Sequence, residues 1–451
     1  MFTLLYWTFC FSFAFDFRGE QGGSIVQYFF LALALGSGVL AILSTPKALR
    51  TGPTRIMSVL WWFYLGTTVV VAGYSHVAAA QYFRCVLPPL LFGLALNLGQ
   101  SLAARRYSPE AILQPMLWAG IASVFWRFFH AVVLSGIPIE QVRYEMLSPA
   151  IPLLFAAAAA AALLASKLEP LPLMGGALAL VSVLISVTRS YIFTLIAALS
   201  AVGFVVLLIL AARYWSAKDL RKKFTIVFSG GALMLVACVI LYLIQPIVFD
   251  RWFERLFNDG GGRTKGEVTL LTREAEAKAM IHLLEADPIR FIYGKGMGAI
   301  YYWDTSYFPD LLLVYPNTED LAQDLWEPGH SVWTYALFSG GGFAVAVYIF
   351  LFGWLVVMGL QSGKRSLVVH SDSPHLSFLP FIAGACYFSQ TLTANPFGER
   401  FSAQILGLCA ALPQVFLMRA ALARQVSFDP SPAPTTSCFP HRVPTTSYRP
   451  S

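Results

Sequence analysis

Residues 171–211 read LPLMGGALALVSVLISVTRSYIFTLIAALSAVGFVVLLILA. Two apolar runs, 171–188 and 191–211, flank one charged residue, Arg189, with almost no loop between them. A helix needs about 20 apolar residues to cross the hydrocarbon core of a bilayer. Both runs approach or meet that length, so this stretch predicts membrane helices.

The whole chain agrees. Of its 451 residues, 57% are hydrophobic and only 12% are charged, and the mean hydropathy is +0.64. Soluble domains carry about 25% charged residues. A chain this apolar cannot cover itself with a water-compatible surface, so lipid must be the solvent for much of it. The six cysteines form no CxxC pair and mostly sit within apolar runs, where they read as small packing residues. The net charge of +7 matters less than its distribution, and no nucleic-acid partner is expected.

The expected fold class is therefore all-α, a polytopic membrane bundle of about 12 transmembrane helices with one long outer loop containing short helices. Candidate spans lie near 2–16, 24–43, 57–73, 86–103, 111–135, 148–165, 171–188, 191–211, 224–246, 331–358, 376–394 and 401–422. The first is short and ends at Asp16; a signal peptide is the other reading, although no basic n-region precedes it. Seven consecutive alanines, Ala156 to Ala162, predict that the sixth helix is internal. The organisation is 1–246 as N-terminal membrane helices, 247–330 as the outer loop, 331–424 as C-terminal membrane helices and 425–451 as a disordered tail rich in Pro, Ser and Thr.

Lysines and arginines orient the bundle. With the N-terminus in the cytoplasm, 17 of the 31 fall on inner segments, including Lys47, Arg105, Lys167 and Lys364. Short outer loops hold five: Arg18, Arg84, Arg143, Arg189 and Arg400. The long loop is exempt from the positive-inside rule. This bias places both termini inside.

The long loop opens on Phe249-Asp250-Arg251-Trp252-Phe253 and continues through Gly260-Gly261-Gly262. A helix follows, with Thr272 as N-cap and Asp287-Pro288 as its stop. Ala277, Met280, Ile281 and Leu284 mark its apolar stripe, and Glu274 and Lys278 an i, i+4 pair on another face. Arg273, four residues before Ala277, starts that stripe. A guanidinium there needs either a structural carboxylate or a ligand anion. Tyr293-Gly294-Lys295-Gly296-Met297-Gly298 reads as a tight turn more readily than as a nucleotide loop, since neither a strand nor a helix flanks it as such a loop requires. The loop closes on Glu327-Pro328-Gly329-His330-Ser331. His330 stands at the outer mouth of the bundle, as a general base or as an ordinary polar anchor. Arg189 either snorkels or clamps a phosphate. Arg127, within a span, suggests a cavity, and Asn395-Pro396-Phe397-Gly398-Glu399-Arg400 adds an outer charged pair.

The order of these features resembles the O-antigen ligase and O-antigen polymerase family of bacterial polysaccharide assembly. The resemblance rests on Arg189 at the junction of two central spans, then Arg273 early in a loop helix, then the Gly-x-Gly-x-Gly turn. His330 follows at the next span, ahead of Phe338-Ser339-Gly340-Gly341-Gly342, and the similarity covers about residues 171–358. Family members often carry Asn after the His, where this chain has Ser331. The resemblance implies a glycosyltransferase of the bacterial inner membrane that needs no metal or other cofactor. Its donor would be a glycan on undecaprenyl pyrophosphate, and its acceptor a glycan, a lipid A core or a protein. It also implies that Arg189 and Arg273 bind the pyrophosphate and that His330 assists the acceptor hydroxyl. Asp304, Asp310 and Asp324 are too dispersed for a metal site. A transporter or flippase for a lipid-linked or small-molecule substrate is the alternative; against it, no repeat of two halves is visible and the charges gather on one face.

Overall fold

The computed structural model describes residues 1–16, 25–46, 52–139, 142, 144–167, 169–212, 214, 221, 223, 225, 239, 242–243, 245–257, 268–302, 325, 327–368 and 374–428. Among them the chain is all-α: no strand forms, and a lone antiparallel bridge joins Tyr301 to Leu325. The helices are α1 (Phe2–Phe11), α2 (Ile25–Leu43), α3 (Thr54–Tyr74), α4 (Ala79–Ala104), α5 (Pro109–Phe129), α6 (Ile151–Leu164), α7 (Pro170–Ser186) and α8 (Arg189–Ala211). In the loop come α9 (Pro246–Phe257), α10 (Val268–Glu285) and α11 (Arg290–Tyr293), followed by α12 (Val332–Val368), α13 (Pro374–Thr391) and α14 (Arg400–Phe428).

Seven helices among the described residues are long and apolar enough to cross a membrane: α2, α3, α4, α5 with the turn that extends it, α8, α12 and α14. Eleven of the twelve stretches read from the sequence carry a helix, while 224–246 lies mostly outside the described residues. The helix in the first stretch stops at Phe11 rather than Asp16, leaving α1 shorter than a full span. The last helix runs to Phe428, past the expected boundary at 424; the tail from 429 lies outside the described residues.

The helices pack through small residues. The alanine-rich α6 is internal, with Ile151 to Ala157 buried. Gly176 of α7 lies against the Ala158 methyl, and Gly99 of α4 against that of Ala411 in α14. Without a hydrophobic force between helices in lipid, such close backbone approach is what holds them together. Large apolar side chains point outward instead: Ile56, Val59, Phe63 and Val70 on α3, and Phe193, Ile196, Leu199 and Leu207 on α8, are exposed at helical spacing. Such stripes suit an apolar solvent.

Contacts between helix termini define two ends of the bundle. At one, Arg105 after α4 donates to the Ser44 carbonyl (2.6 Å) and to Thr45 Oγ1 (2.9 Å) after α2, and covers the Phe2 ring of α1. There too His375, at the start of α13, meets Glu169, just before α7, at 3.0 Å. The other is the loop end. Here Arg400 of α14 pairs with Asp16 (3.4 Å), and the Trp333 indole of α12 donates to Thr391 of α13 (3.0 Å). Arg127 is buried near this end and donates to the Leu147 carbonyl (2.7 Å), tying the end of α5 to the segment that enters α6. The charge inside that span thus has a backbone acceptor.

The loop is fastened by backbone. Helix α12 is broken at Gly341, whose φ of 65° and ψ of −162° suit only glycine. Beside the break, the Lys295 N–H donates to the Phe338 carbonyl (2.7 Å) and the Gly296 N–H to that of Ser339 (3.0 Å). A Cβ on Gly294 would stand 2.5 Å from the Gly340 nitrogen. The two glycine-rich motifs are therefore halves of one joint, and the turn reading of residues 293–298 holds. A Cβ on Gly341 would strike the Ile292 carbonyl. Gly341→Ala is expected to destabilise the protein by about 1–3 kcal/mol, the cost of a strained backbone site. A lower thermal midpoint in detergent and faster proteolysis of the loop would register this; unchanged values of both would contradict it.

Candidate functional site

Helix α10 builds the site. It begins at Val268, one turn before the expected cap Thr272, which lies inside the helix. It ends before Asp287-Pro288 as read, and Glu274 and Lys278 pair at 2.9 Å on the exposed side. Its buried face is turned slightly from the expected stripe: Ala275, Glu276, Ala279, Met280 and Leu284 are buried, while Ala277 and Ile281 are half-buried. That face packs against Tyr335 and Phe338 of α12, with Ala299 and Tyr301 from the loop.

A carboxylate therefore sits on a packed face, and it is fully engaged. Glu276 Oε1 accepts from the Tyr301 hydroxyl (3.0 Å). Oε2 accepts from the His330 backbone N–H (2.8 Å) and lies 3.3 Å from His330 Nδ1. The Glu276 side chain is 5% exposed and that of His330 is 62% exposed. His330 thus stands open at the mouth with one edge held from beneath. Pro328-Gly329 allows this approach, because a Cβ on Gly329 would lie 2.8 Å from the Glu276 carboxylate. Ser331 is the N-cap of α12, its hydroxyl accepting from the Thr334 N–H (3.4 Å).

Arg273 is half-buried and lies three residues before Glu276 on the same helix face. Residues at that spacing are neighbours on a helix. Helix α10 thereby sets Arg273 one turn before Glu276, the carboxylate that holds His330. Arg189 is the first residue of α8 at the same end of the bundle. Before it, Val187 adopts a left-handed conformation (φ 52°, ψ 45°), unusual for a β-branched residue. Val187 is buried against Val248 and Trp252 of α9, and the Trp252 indole donates to the Leu184 carbonyl (2.8 Å). A loop helix thus covers the junction that carries Arg189.

Arg290 straps α11 to the bundle. It donates to Ser75 Oγ (2.6 Å), pairs with Asp287 (3.2 Å) and stacks on Tyr74 and Tyr293. Burial, with the Arg290 guanidinium beside it, holds the Lys295 ammonium below the ordinary lysine value. Phe397, in the turn before α14, wedges between Trp61, Phe92 and Tyr348, which sets Gly398 against Pro328. No group of three His, Cys, Asp or Glu side chains is poised for a metal among the described residues; Asp304, Asp310 and Asp324 lie outside them.

Glu276 and Tyr301 are the site residues that sequence reasoning missed. The available signal was spacing: Glu276, Met280 and Leu284 follow i, i+4, i+8 and so share a face. Compared with known proteins, the chain matches no family model and no curated protein.

Burial, and then the Glu276 carboxylate, push the Tyr301 phenol above its ordinary value of 10.0. The folded protein keeps this proton after the unfolded chain has lost it. The contribution is whole below that value and falls as pH rises beyond it. Thermal midpoints measured from pH 8 upward should decline above about pH 10, and less so in Tyr301→Phe. That variant should also lose about 1.5–3 kcal/mol at neutral pH, the worth of a hydrogen bond to a charged group. Identical alkaline profiles would refute the assignment.

Proposed function

We propose that this chain is a membrane glycosyltransferase of the O-antigen ligase or polymerase kind, working at the outer face of a bacterial inner membrane with both termini cytoplasmic. The observation that carries the reading is the hold of Glu276 on His330 at the loop end of the bundle, with Arg273 one turn before that carboxylate on α10. The donor is a glycan on undecaprenyl pyrophosphate. The acceptor is a hydroxyl of another glycan, a lipid A core or a protein.

The leaving group is a diphosphate, so negative charge develops on phosphate oxygens as the glycosidic bond breaks. Arg273 and Arg189 answer that charge with paired N–H donors, the role that arginine's planar fork suits. His330, open at the mouth, accepts the proton of the attacking hydroxyl. The reading takes twelve crossings, with 224–246 linking α8 to α9, and basic residues on the inner side. The break in α12 bears on the transporter alternative. Transporters use broken helices to line a midplane site, whereas this break is filled by the loop's own backbone.

Cells lacking the chain should be complemented with the wild type, Arg273→Ala or His330→Ala. Surface glycan would be followed on gels and carrier-linked glycan by mass spectrometry. Each variant is expected to reach the membrane yet lose roughly 10²-fold or more of the transfer, as when a charge-stabilising donor or catalytic base is removed. Carrier-linked glycan should accumulate. Wild-type surface glycan with both variants would overturn the proposal.

A further inference from the structure

We infer that Glu276 is a positioning residue that fixes the ring of His330 with Nδ1–H toward the carboxylate and Nε2 bare at the mouth. The inference rests on the transferase reading for its consequence, but its geometry stands separately. A carboxylate can only accept, so the ring nitrogen 3.3 Å from Glu276 Oε2 must be the donor. The same oxygen takes the His330 backbone N–H at 2.8 Å, which holds the ring and the main chain to one point. The other oxygen takes the Tyr301 hydroxyl, so the carboxylate cannot turn away without losing a bond. Gly329 is the residue type that lets the chain pass over this carboxylate. Only the exposed edge of the imidazole is then left for chemistry.

The consequence for transfer follows atom by atom. The acceptor oxygen forms its bond to the anomeric carbon. The bond from that carbon to the phosphate oxygen breaks, and its electron pair leaves with the lipid diphosphate. The hydroxyl proton passes to His330 Nε2 and later to solvent. While the ring holds both protons it is a cation, and the buried Glu276 carboxylate beside Nδ1 is its counter-charge. Carboxylates that orient a catalytic histidine act in this way, by fixing the tautomer and stabilising the imidazolium.

Full-length protein labelled with ¹⁵N in its histidine rings, in lipid nanodiscs, allows the tautomer to be read by NMR, with His330→Gln supplying the assignment. At alkaline pH the wild type should show His330 as the Nδ1–H form. Glu276→Gln should shift the population toward Nε2–H, while Tyr301→Phe should leave Nδ1–H dominant. In the complemented cells, Glu276→Gln should lower glycan transfer by roughly 10²–10⁴-fold with normal membrane levels of the protein, the span seen when such an orienting partner is lost. An Nε2–H tautomer in the wild type overturns the inference, and needs no variant to fold. So does a Glu276→Gln protein that transfers glycan at the wild-type rate. If cells lacking the chain keep normal surface glycan, the transferase reading fails, and the wild-type spectrum still decides the Glu276–His330 geometry.

Discussion

The structure turns on two backbone hydrogen bonds at the break in α12. A helix interrupted inside an apolar bundle must find partners for its carbonyls, because an unpaired one costs too much away from water. Here the loop brings the donors, from Lys295 and Gly296. That exchange fixes where α11 lies, and α11 follows α10 closely in the chain. The position of α10 in turn decides that Glu276 lies beneath His330. The membrane bundle and the loop are thus one construction, joined where the regular structure of α12 stops.

The surroundings of the joint make it tight. Ala72 backbone faces Gly296, and the Gln81 and Tyr82 backbone faces Gly298. Side chains have no room there, so alternate glycines at 294, 296 and 298 are a steric requirement of bringing three chain segments together. The same need explains the small residues opposite, at Ser339, Gly340 and Gly341.

The membrane class, the helical stretches and the internal position of α6 were legible in the sequence, because apolar length and alanine content report directly on lipid and on close packing. The site was legible only in part. Arg189 could be placed at a helix junction because 171–188 and 191–211 leave no other place for it. His330 could be placed ahead of α12 by its Pro-Gly. Glu276 could not, because its partners arrive from Tyr301 and His330, distant in sequence, and local periodicity is blind to them. The start of α10 was misplaced for a related reason: Thr272 is a good cap by type, but the helix is continued backward to Val268. The pairing of the two glycine motifs was equally hidden, since each is explicable alone as a turn or a small-residue stretch.

A joint made of main-chain amides and carbonyls has no titratable part and no net charge. Acidity does not loosen it, and salt does not screen it. It also survives most side-chain truncations, since Lys295 contributes its amide and not its ammonium. The described part of the loop is therefore held against its end of the bundle whatever the acidity or salt around it.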